Sequence, residues 1–255
     1  MSIEPAFLSV QGVSYTYDDG SDVLSEIDWT IPAGGFYSLV GRSGCGKTTL
    51  LKLAAGLLQP TSGQVRIEAQ PVAGPSPKIG FVFQTPALLE WLPVLDNVLL
   101  PISLHRRVQP EDRASALELL DLVGIGDLAG RYPGQLSGGQ QSRAALARAL
   151  IGSPPALLMD EPFAALDAIT REELQDDLLR LVALRRTTVL FVTHDIAEAV
   201  YLSDRVAVMD RGRIALAAAI DLPRPRGGDC RYDPQFAGHC QRIRSAMAQA
   251  QAVAA

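Results

Sequence analysis

Residues 36–58 constrain this chain more than any other stretch. An apolar run of strand length, 36–40, enters the glycine-rich loop Gly41-Arg42-Ser43-Gly44-Cys45-Gly46-Lys47-Thr48, and a helix-forming segment from about 47 to 58 follows. The loop fits the P-loop pattern in the setting that pattern requires, strand before and helix after. Glycines let backbone N–H groups turn inward around phosphates. The helix presents its positive N-terminal end to the same anion. Lys47 supplies a point charge to the β- and γ-phosphates, and Thr48 offers a hydroxyl to Mg²⁺. Thr49, next on the helix, joins residues 41–48 as a nucleotide contact. The bland alternative is a glycine-rich strand-to-helix turn with no ligand.

Length and charge narrow the remaining choices. The chain of 255 residues is long enough for one large domain, or a core with a smaller lobe inserted in it. Hydrophobic residues at 47% and charged residues at 20% suit a globular soluble chain. No apolar run reaches the ~18 residues a spanning helix needs. The first ten residues show no basic start of a secretory signal, so a membrane role is expected only through a partner. A net charge of -5 argues against general nucleic-acid binding. Cys45, Cys230 and Cys240 make no disulfide framework; Cys230, His239 and Cys240 lack a second close ligand pair for zinc and read as reduced thiols.

Short strands are expected at 8–17, 27–31, 36–40, 79–83, 156–159, 188–192 and 205–209, with a turn at Asp18-Asp19-Gly20. Helices are expected at 95–104, 111–123 and 170–184, the last from the spacing of Leu174, Leu178, Leu181 and Val182. Alternating strands and helices favour a mainly parallel sheet. The expected class is α/β: a P-loop NTPase core with an N-terminal antiparallel β portion and an inserted α-helical subdomain. Residues 1–84 and 152–220 form the nucleotide-binding core, 85–151 the helical lobe, and 221–255 a tail whose Ala/Gln-rich end is expected to fray. There is no internal repeat.

Residues 156–161, Ala-Leu-Leu-Met-Asp-Glu, put two adjacent carboxylates at the end of an apolar strand. Neighbouring strand residues point apart, but at the strand end both can reach one Mg-nucleotide. Asp160 suits the metal's water shell. Glu161 suits orienting and deprotonating an attacking water. Without the loop at 41–48, the pair would read equally well as an acidic strand-end turn before Pro162.

Leu136-Ser137-Gly138-Gly139-Gln140 adds a second helix start, with Ser137 as a good N-cap and glycine amides open beside it. Two anion-binding helix termini in one chain make sense if two copies face head to tail, each closing on the other's ATP. Here the sequence resembles the ABC ATPase family over residues 9–214. The resemblance implies that Ser137, Gly138, Gly139 and Gln140 of one copy meet the γ-phosphate held by the other. It implies that Gln84 contacts Mg²⁺ and water and senses the transporter, and that Asp167, in Ala165-Leu166-Asp167, lies across the dimer interface. It further implies that His194 contacts the γ-phosphate and that Tyr17, with Tyr15 as a competing candidate, stacks on adenine.

The run 88–98, residues 170–181 and residues 222–226 are similar to the importer group for nitrate, sulfonates, taurine and related molecules. That resemblance implies an ATP-hydrolysing homodimer with an integral-membrane permease and a substrate-binding protein, peripheral at the cytoplasmic face of the cell membrane. Leu88, Leu89, Trp91 and Leu92 are expected to line a groove for the permease's coupling helix; internal packing is the alternative. Ser142 stands where many relatives carry a longer residue, with altered interface packing as the expected effect, and Glu90 stands where a proline is common. Export or lipid transport, a soluble ABC ATPase outside transport, and an ATP-gated scaffold stay open as rivals.

Overall fold

The computed structural model describes residues 6–252. In chain order the elements are β1 (Ala6–Thr16), β2 (Asp22–Pro32), β3 (Phe36–Gly41), α1 (Lys47–Ala54), β4 (Ser62–Ile67), β5 (Gln70–Pro71) and β6 (Ile79–Val82). Then come α2 (Val94–Ser103), α3 (Pro110–Leu122), α4 (Gly138–Leu150), β7 (Ala156–Asp160) and α5 (Ala168–Arg185). The chain ends with β8 (Thr188–Thr193), α6 (Ile196–Leu202), β9 (Arg205–Asp210), β10 (Arg213–Ala219) and α7 (Pro234–Ala252). Short 3-10 turns occupy Gly126–Leu128, Pro133–Gln135 and Gly228–Tyr232.

The chain forms two compact units, one from residues 6–76 with 186–252 and one from 77–185. In the first, β1 pairs antiparallel with β2 and β4, and β4 with β5. A second set of strands centres on β3, parallel to both β8 and β9, with β10 antiparallel on β9. Every residue of β3 and of β8 is buried. That is why both read as near-continuous apolar runs, broken in β3 only by the buried Ser38 and bounded in β8 by Thr188 and Thr193, as strands covered on both faces do. Phe36 and Phe191 lie 5.9 Å apart across this pair.

Several elements differ from the sequence expectation for local reasons. Strand β2 starts at Asp22 rather than 27; Glu26 takes φ 50 and breaks the alternation between the buried Leu24 and Ile27, which hides residues 22–26 from a period-two reading. Helix α1 stops at Ala54, where the Leu57 amide donates back to the Lys52 carbonyl at 2.9 Å. Strand β10, Arg-Ile-Ala-Leu-Ala-Ala-Ala, carries little β propensity and is held by its ladder with β9. The 221–255 tail contains α7, which buries Phe236 and Ile243 ahead of the Ala/Gln-rich end; residues 253–255, at that end, lie outside the described part.

In the second unit β6 and β7 run parallel, Ile79 opposite Ala156 and Val82 opposite Met159. Helix α4 buries Ala144, Ala145, Leu146, Ala147 and Leu150, and its small residues allow close approach to β6 and α2. Arg143 fastens this helix: it donates to the Val123 carbonyl at 2.8 Å and pairs with Asp177 and, at 3.5 Å, Glu173. The expected lobe 85–151 lies inside this unit, which also takes in β6, β7 and α5 because the two strands ladder to each other.

Candidate functional site

The loop between β3 and α1 is built around Lys47, which is 5% exposed. Its ammonium donates to the Gly41 carbonyl at 2.8 Å and the Arg42 carbonyl at 2.9 Å, so the lysine crosses beneath its own loop. Gly46 caps the helix at φ 103, and a Cβ there would lie 2.7 Å from Leu24 Cδ2 and 2.9 Å from the Val23 carbonyl. Only glycine meets both demands. Arg42, Ser43 and Gly44 are exposed, whereas Gly41, Cys45 and Thr49 are buried and Thr48 half-buried. Burial pushes the Cys45 thiol up despite the nearby Lys47. The first amides of α1 have no intrahelical carbonyl to bond. A phosphate fits this cradle.

Tyr17 is 38% exposed, with its hydroxyl 3.2 Å from Thr49 Oγ1 and its ring edge-on to Tyr15 at 4.9 Å. Tyr15 is half-buried, so Tyr17 is the more exposed of the two rings. His194, in the same unit, is exposed in the turn between β8 and α6. That turn is bound to the helix twice. Asp195 caps α6 by accepting from Ala197 at 2.8 Å and Glu198 at 3.2 Å, and Thr193 Oγ1 bonds the Glu198 carboxylate. The Asp195 amide also donates to Thr193 Oγ1 at 3.0 Å.

In the other unit, β7 carries Asp160, 7% exposed, and the chain breaks at Glu161 into the left-handed region, φ 43. A non-glycine residue held there costs about 1–3 kcal/mol. This break ends the strand's strict alternation, the condition under which two consecutive carboxylates can serve one ligand. Glu161 is half-buried; Gln84, just past β6, is exposed. Exposed Asp167 accepts from the Thr170 amide at 3.0 Å, and hydrogen bonds from Thr170 hold its carboxyl below the usual range.

At the start of α4, Ser137 Oγ accepts from the Gln140 amide at 3.3 Å and Gln140 Oε1 accepts from the Ser137 amide at 2.9 Å. This capping box gives Gln140 a structural duty, turning its carbonyl oxygen back onto the helix start. Gly138 and Gly139 are the first helical residues, and a Cβ on Gly139 would lie 2.6 Å from Thr170 Cγ2. Ser142 points inward to a small cavity beside Val82, Leu146, Met159 and Phe163.

Sequence reasoning assigned no role to the residues that shape the loop after Gln84. Arg148 of α4 donates to the Ala87 carbonyl at 2.7 Å and the Pro86 carbonyl at 2.6 Å. Asn97, fully buried, bonds both backbone groups of Leu89 and the carbonyls of Leu92 and Pro93. The pair Asp96-Asn97 inside the otherwise apolar run 94–100 was the available signal, and it does not by itself say which of the two is buried. The expected groove residues divide: Leu88 is buried, Leu89 and Leu92 half-buried, and Trp91 72% exposed. Among the described residues no group of three or more His, Cys, Asp or Glu is placed to hold a metal, and no helix is long and apolar enough to cross a membrane.

Against known proteins, the ABC transporter family model matches residues 24–164. An aliphatic sulfonates import ATP-binding protein of Pseudomonas putida is 48% identical over 219 residues, 86% of this chain and 78% of its own. A dimeric ATP-binding cassette solved in a post-hydrolysis state with ADP and Pi is 34% identical, with TM-score 0.76 over 86% of this chain and 99% of that one. The cbiO1 protein of Clostridium perfringens, part of an ABC transporter complex, is 29% identical with TM-score 0.77, covering 85% and 89%.

Proposed function

From the premise that this chain belongs to the ABC transporter family and is one of its ATPases, we propose that two copies close head to tail on two ATP molecules and drive a small-molecule importer. The observation supporting it most is that, among the described residues, α1 starts after the glycine loop and α4 starts on Gly138-Gly139 behind the Ser137 cap, but a single lysine-bearing cradle is present, at α1. A second anion-facing helix end finds its use on the ATP of another copy.

In this reading Tyr17 stacks on adenine, and residues 41–49 wrap the phosphates. Lys47 turns an N–H from the loop carbonyls to the β- and γ-phosphates. The oxygens of Thr48, Gln84 and Asp160 are hard donors of the kind Mg²⁺ takes. When bound, Mg²⁺ neutralises charge across the two phosphates. Glu161 accepts the proton of the attacking water as its oxygen bonds phosphorus and the bond to the ADP oxygen breaks. Gln84 orients that water and His194 holds the γ-phosphate. Ser137, Gly138, Gly139 and the Gln140 backbone come from the partner copy, and Asp167 lies at the interface. ATP therefore bridges two molecules through charge-assisted bonds, and loss of phosphate favours opening.

We place residues 85–151 as the lobe that carries the partner-facing helix start and meets the permease through exposed Trp91. The chain then works at the cytoplasmic face of the membrane, beside a permease and a substrate-binding protein. The sulfonate-import name of the Pseudomonas relative supports small anionic organic molecules of that kind as cargo. The test is Glu161→Gln. It is expected to abolish phosphate release and to leave an ATP-bound dimer on size-exclusion chromatography; normal turnover by that variant would remove Glu161 from the reaction.

A further inference from the structure

Helix α6 is only seven residues long, and side chains grip it at both ends. At its N-terminal end Thr193 and Asp195 tie the turn that carries His194 to the first helical residues. At its C-terminal end Arg226 Nη1 donates to the carbonyls of Val200 at 3.1 Å, Tyr201 at 2.7 Å and Ser203 at 2.8 Å. The Val200 and Tyr201 carbonyls are among those a helix end leaves without intrahelical donors, at the pole that favours a cation, and Ser203 is the residue that follows the helix. Arg224 adds a bond to the Leu202 carbonyl at 3.0 Å and pairs with Asp204 at 2.7 Å. The Arg231 guanidinium lies 3.4 Å from the Tyr201 ring centroid.

We propose that residues 222–231 form a strap that sets the position of His194 through α6, with Arg226 as a positioning residue for ATP hydrolysis. The proposal rests on the reading of His194 given above. Two turns of helix span about 10 Å, too short to absorb a displacement at one end without passing it to the other. The investment at Arg226 exceeds what a surface tail needs. The side chain is 9% exposed, its Nε is buried with no hydrogen-bond partner, and burial, followed by the neighbouring Arg224, pulls the guanidinium down to about 10. It remains charged at neutral pH, so a permanent cation is kept against three carbonyls at a desolvation cost. A polypeptide anchored only for packing achieves that with Phe236 and Ile243, both buried on α7.

The experiment is a mutant cycle on the 255-residue chain, read by phosphate release from Mg-ATP and by histidine ring NMR. Arg226→Gln is expected to lower kcat about tenfold, KM for ATP staying within about twofold. The His194 ring signals, identified by their loss in His194→Ala, are expected to move. In the His194→Ala background Arg226→Gln is expected to cost nothing further, as for two residues acting as one unit. Phe236→Ala, a packing control on the same segment, is expected to lower the melting temperature with kcat unchanged well below it. Fully additive losses, or an unmoved His194 signal, overturn the strap. Wild-type turnover by His194→Ala instead overturns the assignment of His194 itself. If Arg226→Gln does not fold, Arg226→Lys keeps the charge on a narrower donor and runs through the same cycle, with a smaller loss of kcat expected.

Discussion

Asn97 holds Leu89 by both sides of its backbone: Oδ1 accepts from the Leu89 amide at 2.7 Å, and Nδ2 donates to the Leu89 carbonyl at 3.0 Å. The same amide nitrogen also reaches the carbonyls of Leu92 and Pro93, so a single fully buried side chain templates the loop between Gln84 and α2. With Arg148 gripping Pro86 and Ala87, this exposed-looking stretch is braced from two helices of its unit.

Asn97→Ala is therefore expected to destabilise the protein by about 3 kcal/mol, since each buried backbone group left without a partner costs about 1–3 kcal/mol. Urea unfolding measures it. A loss below about 1 kcal/mol would mean that the loop finds other partners for those groups.

The two halves of Tyr17 separate its duties. Tyr17→Phe removes only the contact of its hydroxyl with Thr49 and keeps the ring, so ATP affinity is expected to hold within about twofold. Tyr17→Ala removes the stacking face and is expected to weaken ATP about tenfold or more, from the ~1–3 kcal/mol that base–aromatic stacking contributes. Fluorescence titration with an ATP analogue distinguishes them. Equal losses in both variants would transfer the role to the hydroxyl.

The Asp112 carboxyl is held down to about 2, first by the hydrogen bond from Arg106 and then by the Gln109 amide at the start of α3. The folded value lies below the ordinary value of about 3.9, so ionised Asp112 favours folding. That contribution is fully present above about pH 4 and lost as pH falls toward 2. A carboxyl ¹³C titration is expected to find the low midpoint and to find it raised in Arg106→Gln. A midpoint already at the ordinary value in the unmutated chain would remove the ion pair from the acid stability of α3.

What the residues alone determined is local chemistry written in contiguous stretches: the glycine loop, the carboxylates at 160 and 161, the helix start at 137, and the fully buried strands β3, β7 and β8. These were legible because glycine, capping and burial preferences act over a few neighbouring positions. Tertiary structure decided everything that depends on a partner distant in sequence. It made a strand of the alanine-rich β10 by supplying β9, and a packed helix of the tail by burying Phe236 and Ile243. It also turned Arg226, an ordinary basic residue after a proline, into the cap of a helix some twenty residues earlier. A hydrogen bond across such a separation leaves no periodicity to read, because its geometry exists only after the chain has folded.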